Sequence, residues 1–293
     1  MGSVADKIAK RLASARGSKV VDMSVWREGR KLALEAGFGG EGPVPAKFAD
    51  LDPCHGIYAM AQNIVSLLAE TISMLREAKG FARIVGDAEE EYMPKGSPMS
   101  PLTVSHFSMW AFFDVRFGSS RETMGSCILR MAALLDLPDW LTDTVRLMQR
   151  SRMGFYVNCG SEGETALLRE VGTRETVPCM VPSGHVGGAG EIWFVRVLPP
   201  PHELCSRHIV FTTPYVIRDY PESAFVEYLE RELARMKGRE SPPRTDDLHG
   251  HLMKHGPEPN HWNEFILCAY TGHRHEAIFL TGIPDIRESL PHA

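Results

Sequence analysis

The stretch that decides the fold begins at Gly154 and reads GFYVNCGSEGETALLREVGTRETVPCMV (residues 154–181). It contains short runs of β-prone residues separated by Gly, Pro and Ser, which is the pattern of strands joined by turns. Two further β-prone runs follow, EIWFVRVLP (191–199) and RHIVFTTPYVI (207–217). Five such runs over about 65 residues predict a small antiparallel barrel or a strongly bent sheet.

The chain before Gly154 has the periodicity of helices. Apolar residues recur at three- and four-residue spacings in residues 4–16, 21–36 and 55–84, as they do in amphipathic helices. Residues 221–237 repeat this pattern and are expected to pack on the sheet. The predicted fold class is therefore α+β, with a helical domain, then a small antiparallel β-barrel-like module, then C-terminal helices.

Changes of composition along the chain predict four segments. A Gly- and Pro-rich linker at 37–47 separates the first segment from the rest. The four are a basic helical arm (1–36), a helical domain (48–152), a small β module with its packing helix (153–238) and a His-rich C-terminal helical segment (239–293).

Two short helices are predicted within the C-terminal segment. Thr245 is the candidate N-cap of the first, which would end before Gly256. Asn260 is the candidate N-cap of the second, which would cover WNEFILCAY (262–270) and face the body of the protein with its large apolar residues.

The region of about residues 105–200 resembles a known bacterial group. A helix with WAFFDVRF (110–117) precedes a helix that ends in QRSRMGFY (149–156), followed by LLREVGTRET (167–176) and GEIWFVRV (190–197). This order is similar to that of proteins that often carry a C-terminal SEC-C zinc-binding motif. The matching positions are Trp110, Phe113, Asp114, Ser151, Arg152, Leu168, Arg169, Glu170, Thr173, Gly190 and Arg196.

The resemblance implies a bacterial protein and an architecture in which the helix and the β module on either side of Gly154 pack together. The SEC-C motif itself is not in this sequence. The zinc knob that the association would imply is therefore not expected, and the resemblance implies no particular activity.

Composition and charge argue against some classes of protein. A net charge of -5 argues against a protein that coats nucleic acid by bulk charge. The sequence contains no run of about 18 apolar residues, so no membrane span is expected. Six cysteines without a C-x-x-C pair, after an N-terminus that lacks the apolar core of a signal peptide, predict reduced, mostly buried thiols in the cytoplasm.

Two basic regions are candidate contacts for a macromolecular partner. Residues 1–31 carry an excess of five positive charges, which fits either a basic arm that binds a protein or nucleic acid or a solvated helical face. Arg146, Arg150 and Arg152 precede the β module and could line a binding groove. Arg169, Arg174 and Arg196 would extend it, with exposed aromatics among Phe155, Tyr156 and Trp193.

The C-terminal segment contains the candidate metal ligands. If residues 246–255 are helical, Asp247, His251 and His255 fall at i, i+4 and i+8 and share one face. A carboxylate and two imidazoles would suit a divalent metal such as zinc. The other interpretation is an exposed polar helix in a His-rich tail, because Gly250 disfavours the helix and no H-E-x-x-H motif is present.

No motif in the sequence fixes a reaction, so two functional hypotheses follow. The first is a non-enzymatic binding or adaptor module for a macromolecular partner. The second is a metal-dependent hydrolase that uses the C-terminal Asp and His ligands. No nucleotide-binding loop and no nucleophile elbow occur in the sequence.

Overall fold

The computed structural model describes residues 3–16, 52–73, 76–92, 101–133, 137, 139–185, 187–201, 205–217, 221–256, 265–269 and 275–279. Its helices are α1 (Val4–Arg16), α2 (Pro53–Ser73), α3 (Lys79–Tyr92), α4 (Pro101–Phe113), α5 (Met124–Met131), α6 (Asp139–Arg150), α7 (Glu222–Lys237) and α8 (Leu248–His255), with a 3-10 turn at Arg76–Ala78. Its strands are β1 (Arg152–Glu162), β2 (Thr165–Glu170), β3 (Thr176–Met180), β4 (Ile192–Leu198), β5 (His208–Val210), β6 (Tyr215–Ile217), β7 (Phe265–Ala269) and β8 (His275–Phe279). No helix in the described ranges is long and apolar enough to cross a membrane.

The chain divides into two compact units. Unit 1 contains Met1–Ile84, Phe112–Arg150 and Pro200–Ser206. Unit 2 contains Val85–Ala111, Ser151–Pro199 and Arg207–Ala293. The change from helix to strand falls between α6 and β1, next to Gly154.

Unit 1 is helical, and α1 is attached to its body near the start of α5. The Val4 backbone N–H donates to Glu122 Oε2 at 2.7 Å, and Arg130 of α5 pairs with Asp6 at 2.9 Å. Val4 and Ile8 are buried, so the first turns of the predicted basic arm contribute to the core of this unit. Residues 1–2 and 17–36 of the arm and the 37–47 linker lie outside the described residues.

A capping box starts α5. The Thr123 hydroxyl accepts from the Ser126 N–H at 3.1 Å, and Ser126 Oγ accepts from the Thr123 N–H at 2.9 Å. Both bonds satisfy donors that the first turn of a helix leaves unpaired. Behind this start, Cys127, Ile128 and Met131 are completely buried.

Unit 2 contains a five-stranded closed barrel, which confirms the predicted α+β fold class. The strands follow the order β1-β2-β3-β5-β4, and β4 closes the barrel by pairing with β1. All of these pairings are antiparallel except β3–β5, which is parallel, so the barrel is mixed. Strand β6 adds to β4 as a sixth strand through Ile192–Phe194.

Strand β4 is buried along its whole length because both of its faces pack against other elements. Trp193, Val195 and Val197 belong to the core inside the barrel, with Leu168 and Cys179. The alternating residues Ile192 and Phe194 face outward, into a second core that contains Phe155, Tyr215, Phe225, Tyr228, Leu229, Leu252 and Met253. Helix α7 therefore packs on the sheet as its amphipathic pattern predicts, and α8 packs beside it.

Two predictions for the C-terminal segment are wrong. Residues Phe265–Ala269 of the predicted second helix form strand β7, which pairs antiparallel with β8 through five residue pairs. The run FILCA is short and apolar, and periodicity alone does not distinguish a buried strand from a helix at this length. The first helix does form, as α8, but Asp247 and not Thr245 is its N-cap.

The prediction of reduced thiols is wrong for one pair of cysteines. Cys54 and Cys205 form a disulfide bond, with Cα atoms 6.3 Å apart and 151 residues between them in sequence. Cys127 and Cys179 are free and buried, and Cys159 is free and exposed.

Replacement of Phe194 by Ala tests the two-sided burial of β4. Because Phe194 is completely buried and stacks on Phe155 with ring centroids 4.9 Å apart, we expect the free energy of unfolding to fall by about 3–5 kcal/mol. Urea denaturation measures it. The control Thr176→Ala, at an exposed position of β3, should change stability by less than about 0.5 kcal/mol. Equal effects of the two substitutions would contradict the burial of Phe194 against the helices.

Candidate functional site

The outer face of β2 and β3 carries partly exposed apolar side chains. Ala166, Leu168 and Cys179 point into the barrel core, so the residues that alternate with them point outward. Leu167 is half-buried and Pro178 is exposed, and the two are direct cross-strand partners. Six residues point outward, and we call five of them the β2–β3 face: Thr165, Leu167, Thr176, Pro178 and Met180; the sixth, Arg169, pairs with Glu222.

Met180 extends the apolar strip of this face. It is half-buried and lies directly opposite Thr165. Leu167 and Met180 are therefore diagonal neighbours, which lie roughly 7–8 Å apart on the same face of an antiparallel pair. Leu167, Pro178 and Met180 thus form one continuous apolar patch on the outside of the barrel.

Exposed carboxylates lie at both ends of the β2–β3 face. Glu162 and Glu164 flank the turn that joins β1 to β2, and Glu175 immediately precedes β3. All three are exposed. The ends of the apolar strip therefore carry negative charge, which would attract a basic group and repel a phosphate.

The arginines near the face are bound to a carboxylate. Arg169 of β2 donates two parallel hydrogen bonds to Glu222 Oε1 and Oε2, at 2.9 and 2.8 Å. Arg174 forms an ion pair with the same carboxylate. These contacts lower the pKa of Glu222, the Arg169 hydrogen bond most strongly. As the first residue of α7, Glu222 also compensates the positive end of the helix dipole.

A buried ion pair lies where β1 and β2 meet. Arg152 of β1 donates to both carboxylate oxygens of Glu170, with the Nη2–Oε2 bond at 2.9 Å. Thr173 Oγ1 donates to Glu170 Oε2 at 2.8 Å. Burial tends to raise the pKa of Glu170, but the hydrogen bond and charge of Arg152 outweigh it, and the pKa is lowered. Glu170 is therefore ionised at neutral pH, with its charge balanced inside the fold.

Gly154 provides the space for this pair. A Cβ atom at Gly154 would lie 2.6 Å from the Tyr156 ring and 3.0 Å from Glu170 Oε1. The distance to the ring is too short for a real contact and the distance to the carboxylate is very tight, so a side chain here would displace the Tyr156 ring. The glycine at the start of the β-prone stretch is thus required by packing.

His249 of α8 covers the same region. Its imidazole packs against Gly172, in the turn between β2 and β3, so closely that a Cβ at that glycine would collide with the ring. Burial lowers the pKa of His249 most strongly, and the Arg152 charge adds to this, against the opposing effects of Glu170 and Asp247. The imidazole is therefore neutral at pH 7 and packs as an uncharged ring.

The arginines predicted to line a groove have other contacts. Arg146 pairs with Asp143 on α6, and Arg150 is exposed in the last turn of that helix. Arg152 belongs to the ion pair with Glu170. Within the module, Arg196 is completely buried and donates to Ser151 Oγ at 2.9 Å and to Ser151 O at 3.2 Å. Arg196 therefore cannot line an exposed groove, whereas the use of Arg146, Arg150 and Arg152 as binding residues stays a prediction.

The aromatic part of that prediction is also wrong. Phe155 is 1% exposed, Tyr156 5% and Trp193 0%. Trp193 and Phe194 face opposite sides of β4, and each side meets a different apolar core.

The structure places the predicted metal ligands as follows. The Asp247 carboxylate accepts the Gly250 N–H at 2.7 Å and so caps α8. His251 and His255 lie on α8 with ring centroids 5.0 Å apart. Among the described residues, no group of three or more His, Cys, Asp or Glu side chains could hold a metal ion. His261 and His273 lie outside those residues, and the hydrolase hypothesis stays a prediction that the metal content of purified protein would test.

Comparison of the chain with protein-family models, curated proteins and solved structures finds no match. The resemblance to SEC-C-associated proteins therefore stays a prediction. Several of the positions that carry it meet in unit 2, since Arg152, Glu170 and Thr173 form one cluster, and Ser151 binds Arg196. The side chains at these positions therefore form hydrogen bonds within the fold.

The β2–β3 face was not among the sequence predictions. The signal for it was present in the run Ala166-Leu167-Leu168, because three consecutive apolar residues in a strand place at least one on the outer face. Its exposure could not be read from the sequence, since Phe155 and Phe194 also face outward and are covered by helices.

Replacement of Glu170 by Gln tests the buried ion pair through its pH dependence. Since the folded-state pKa of Glu170 is lowered, the pair stabilises the fold above pH 4.5, the ordinary pKa of a glutamate, and loses this contribution as the pH falls through the folded-state pKa. We expect Glu170→Gln to lower the free energy of unfolding by about 2 kcal/mol at pH 7, because it leaves Arg152 without its anionic partner.

Denaturation curves at pH 7, 5, 4 and 3 measure this effect. The difference between Glu170→Gln and the unmodified protein should shrink as the acid form of Glu170 accumulates. Glu162→Gln, at an exposed position of the same barrel, is the matched control and should leave stability unchanged at each pH. A difference for Glu170→Gln that stays constant down to pH 3 would rule out a stabilising ionised pair.

Proposed function

We propose that this protein is a non-enzymatic binding module that docks a protein partner on the β2–β3 face. The observation that carries the proposal is the partly exposed apolar strip of Leu167, Pro178 and Met180, on a barrel whose outward residues Phe155 and Phe194 are packed by helices. Apolar side chains that adjoin one another on a strand pair offer the kind of contact that partners bury.

The charges near the strip favour a protein over a nucleic acid. Arg169 and Arg174 share Glu222, so the three groups together contribute one net positive charge. Exposed Glu162, Glu164 and Glu175 add negative charge at the ends of the face. A phosphate backbone would be repelled there, whereas a protein segment with apolar side chains between Lys or Arg residues would be complementary.

The burial of the aromatic residues also favours a protein partner over a nucleic acid. Single-stranded nucleic acid is held by exposed rings on which bases stack, whereas Phe155, Tyr156 and Trp193 all lie in apolar cores. The predicted basic arm stays a second candidate contact for the partner. In its described part, Lys7 and Lys10 are exposed.

Site-specific photo-crosslinking identifies the partner. A benzophenone side chain is placed at Leu167 in the full chain, and an identical one at Glu230, an exposed position of α7. We expect Leu167 to crosslink in cells to one defined protein that Glu230 does not capture. Equal capture of the same proteins at both positions would contradict docking on the β2–β3 face.

The affinity of that partner for two variants then tests the contact itself. Leu167→Glu puts a charge into the apolar strip, and we expect the Kd to rise about 30-fold, the effect of losing about 2 kcal/mol at an interface hot spot. Ser223→Glu adds the same charge at an exposed position of α7 and should leave the Kd unchanged. Thermal unfolding of both variants checks that the fold is retained.

A further inference from the structure

A column of stacked aromatic rings connects α4 to the sheet of unit 2. His106 of α4 stacks on Tyr215 of β6 with ring centroids 4.1 Å apart, and Tyr215 lies nearly parallel to Phe194 of β4 at 6.5 Å. Phe194 stacks in turn on Phe155 of β1 at 4.9 Å. Residues 101–111 of α4 and all four of these rings belong to unit 2. His106 is therefore the ring through which α4 joins the core that packs on the outside of the barrel.

The surroundings of His106 suit an uncharged imidazole. The side chain is 2% exposed. Its Nε2 lies 3.2 Å from the backbone carbonyl oxygen of Thr213, to which a neutral ring donates when Nε2 carries the proton. The positive charge of Arg196, on β4, acts on the same ring, whereas Tyr215 and Thr213 are uncharged. Protonation of His106 would therefore place a second positive charge near Arg196 in a buried site, where an uncompensated charge is costly.

The pKa of His106 is consistent with this arrangement. Burial lowers the pKa most strongly and the Arg196 charge adds to this, against the hydrogen bond to Thr213, so that the pKa falls to about 3. An exposed histidine titrates near pH 6.5. Between these two pH values the ring takes up a proton only when it leaves its site. Acid therefore favours opening: the closed form is at full stability above about pH 6.5 and loses stability as the pH falls toward the folded-state pKa.

We propose that His106 makes the attachment of α4 to the sheet sensitive to acid. Above about pH 6.5 the neutral ring stays stacked on Tyr215 and donates to Thr213. In more acidic solution the ring is protonated in an open state, in which residues 105–111 of α4 have left the sheet and the Tyr215 ring has lost its cover on this side. The proposal concerns α4 alone and is independent of the β2–β3 face and of any partner.

Two other histidines of unit 2 respond to the same pH range. Burial also lowers the pKa of His208 on β5 and of His249 on α8. Both contribute to the acid sensitivity of unit 2 as a whole, because global unfolding exposes them. Since they lie on other elements than α4, we expect local opening of α4 to leave both in place. The response of α4 to acid should therefore depend on His106 and not on these two residues.

Amide hydrogen exchange of the full chain at pH 7, 6 and 5 measures the opening of α4. After correction for the pH dependence of chemical exchange, we expect the opening constant of residues 105–111 to rise about tenfold between pH 6 and pH 5, because opening takes up one proton. At pH 5 this constant should exceed that of α7 by about tenfold or more, because α4 opens while the rest of unit 2 stays folded. An opening constant of α4 that does not change with pH, or one equal to that of α7 at pH 5, would overturn the proposal.

His106→Phe tests whether this residue is the cause. Phenylalanine keeps a ring that can stack on Tyr215 but takes up no proton, so we expect the opening constant of residues 105–111 to change less than about twofold between pH 6 and pH 5. His208→Gln, the matched control, removes the proton uptake of a half-buried histidine on β5. In this control α4 should respond to pH as in the unmodified protein. A response of α4 that persists in His106→Phe, or one that disappears in His208→Gln, would contradict the role of His106.

NMR of the unmodified protein, labelled with carbon-13 in its histidine rings, decides the question if His106→Phe does not fold. The carbon shifts of an imidazole distinguish the neutral ring from the protonated one, and the His106 ring is assigned through its contact with Tyr215. We expect His106 of the closed protein to stay neutral at pH 5. A protonated His106 that is still stacked on Tyr215 at this pH would overturn the proposal, because the proton would then be taken up without opening of α4.

Discussion

The burial of β4 on both faces is the constraint on which the rest of unit 2 depends. Its inward residues, among them Trp193 and Val195, fill the barrel, and its outward residue Phe194 is large and apolar. A barrel alone would leave Phe194 in water. Packing of α7 and α8 against this side removes that cost, so these helices and the barrel form one unit. These helices pack on the β1–β4–β6 side, whereas the apolar residues Leu167, Pro178 and Met180 on the outer side of β2 and β3 stay partly exposed.

The polar residues of the barrel follow from the same geometry. Where β1 and β2 meet, the buried carboxylate of Glu170 is balanced by the positive charge of Arg152. Gly154 has no side chain and so leaves room for this pair. A buried pair of this kind is weak evidence for stability in itself, but loss of one partner is costly. The cluster accordingly has structural contacts, whereas Leu167, Pro178 and Met180 lie on the outer side of β2 and β3 and stay partly exposed.

The local features of the fold could be predicted from the sequence and the long-range ones could not. Alternation and turn residues predicted the strands near Gly154, and the amphipathic pattern of residues 221–237 predicted the helix on the sheet. The pairing of Arg152 with Glu170 and of Cys54 with Cys205 joins residues far apart in sequence, for which no local pattern exists. Arg152 therefore looked exposed, and the cysteines looked reduced.

The candidate site illustrates the same limit. The sequence emphasised charged and histidine-rich segments, because these carry recognisable chemistry. Arginine is as suited to an internal ion pair as to a surface, and only the fold distinguishes Arg169, held by Glu222, from an open contact. The β2–β3 face carries ordinary apolar residues beside two threonines, and only the fold shows that its apolar residues stay partly exposed.

The central claim, that a protein partner covers the β2–β3 face, is tested most directly by cysteine labelling inside cells. In a Cys159→Ser background, Met180→Cys reports on the face and Ser223→Cys on an exposed position of α7. Both are treated with N-ethylmaleimide in intact cells and after purification. We expect position 180 to react more slowly in cells than in the purified protein, and position 223 to react equally in both. Reaction of position 180 at the same rate in cells and in isolation would contradict it.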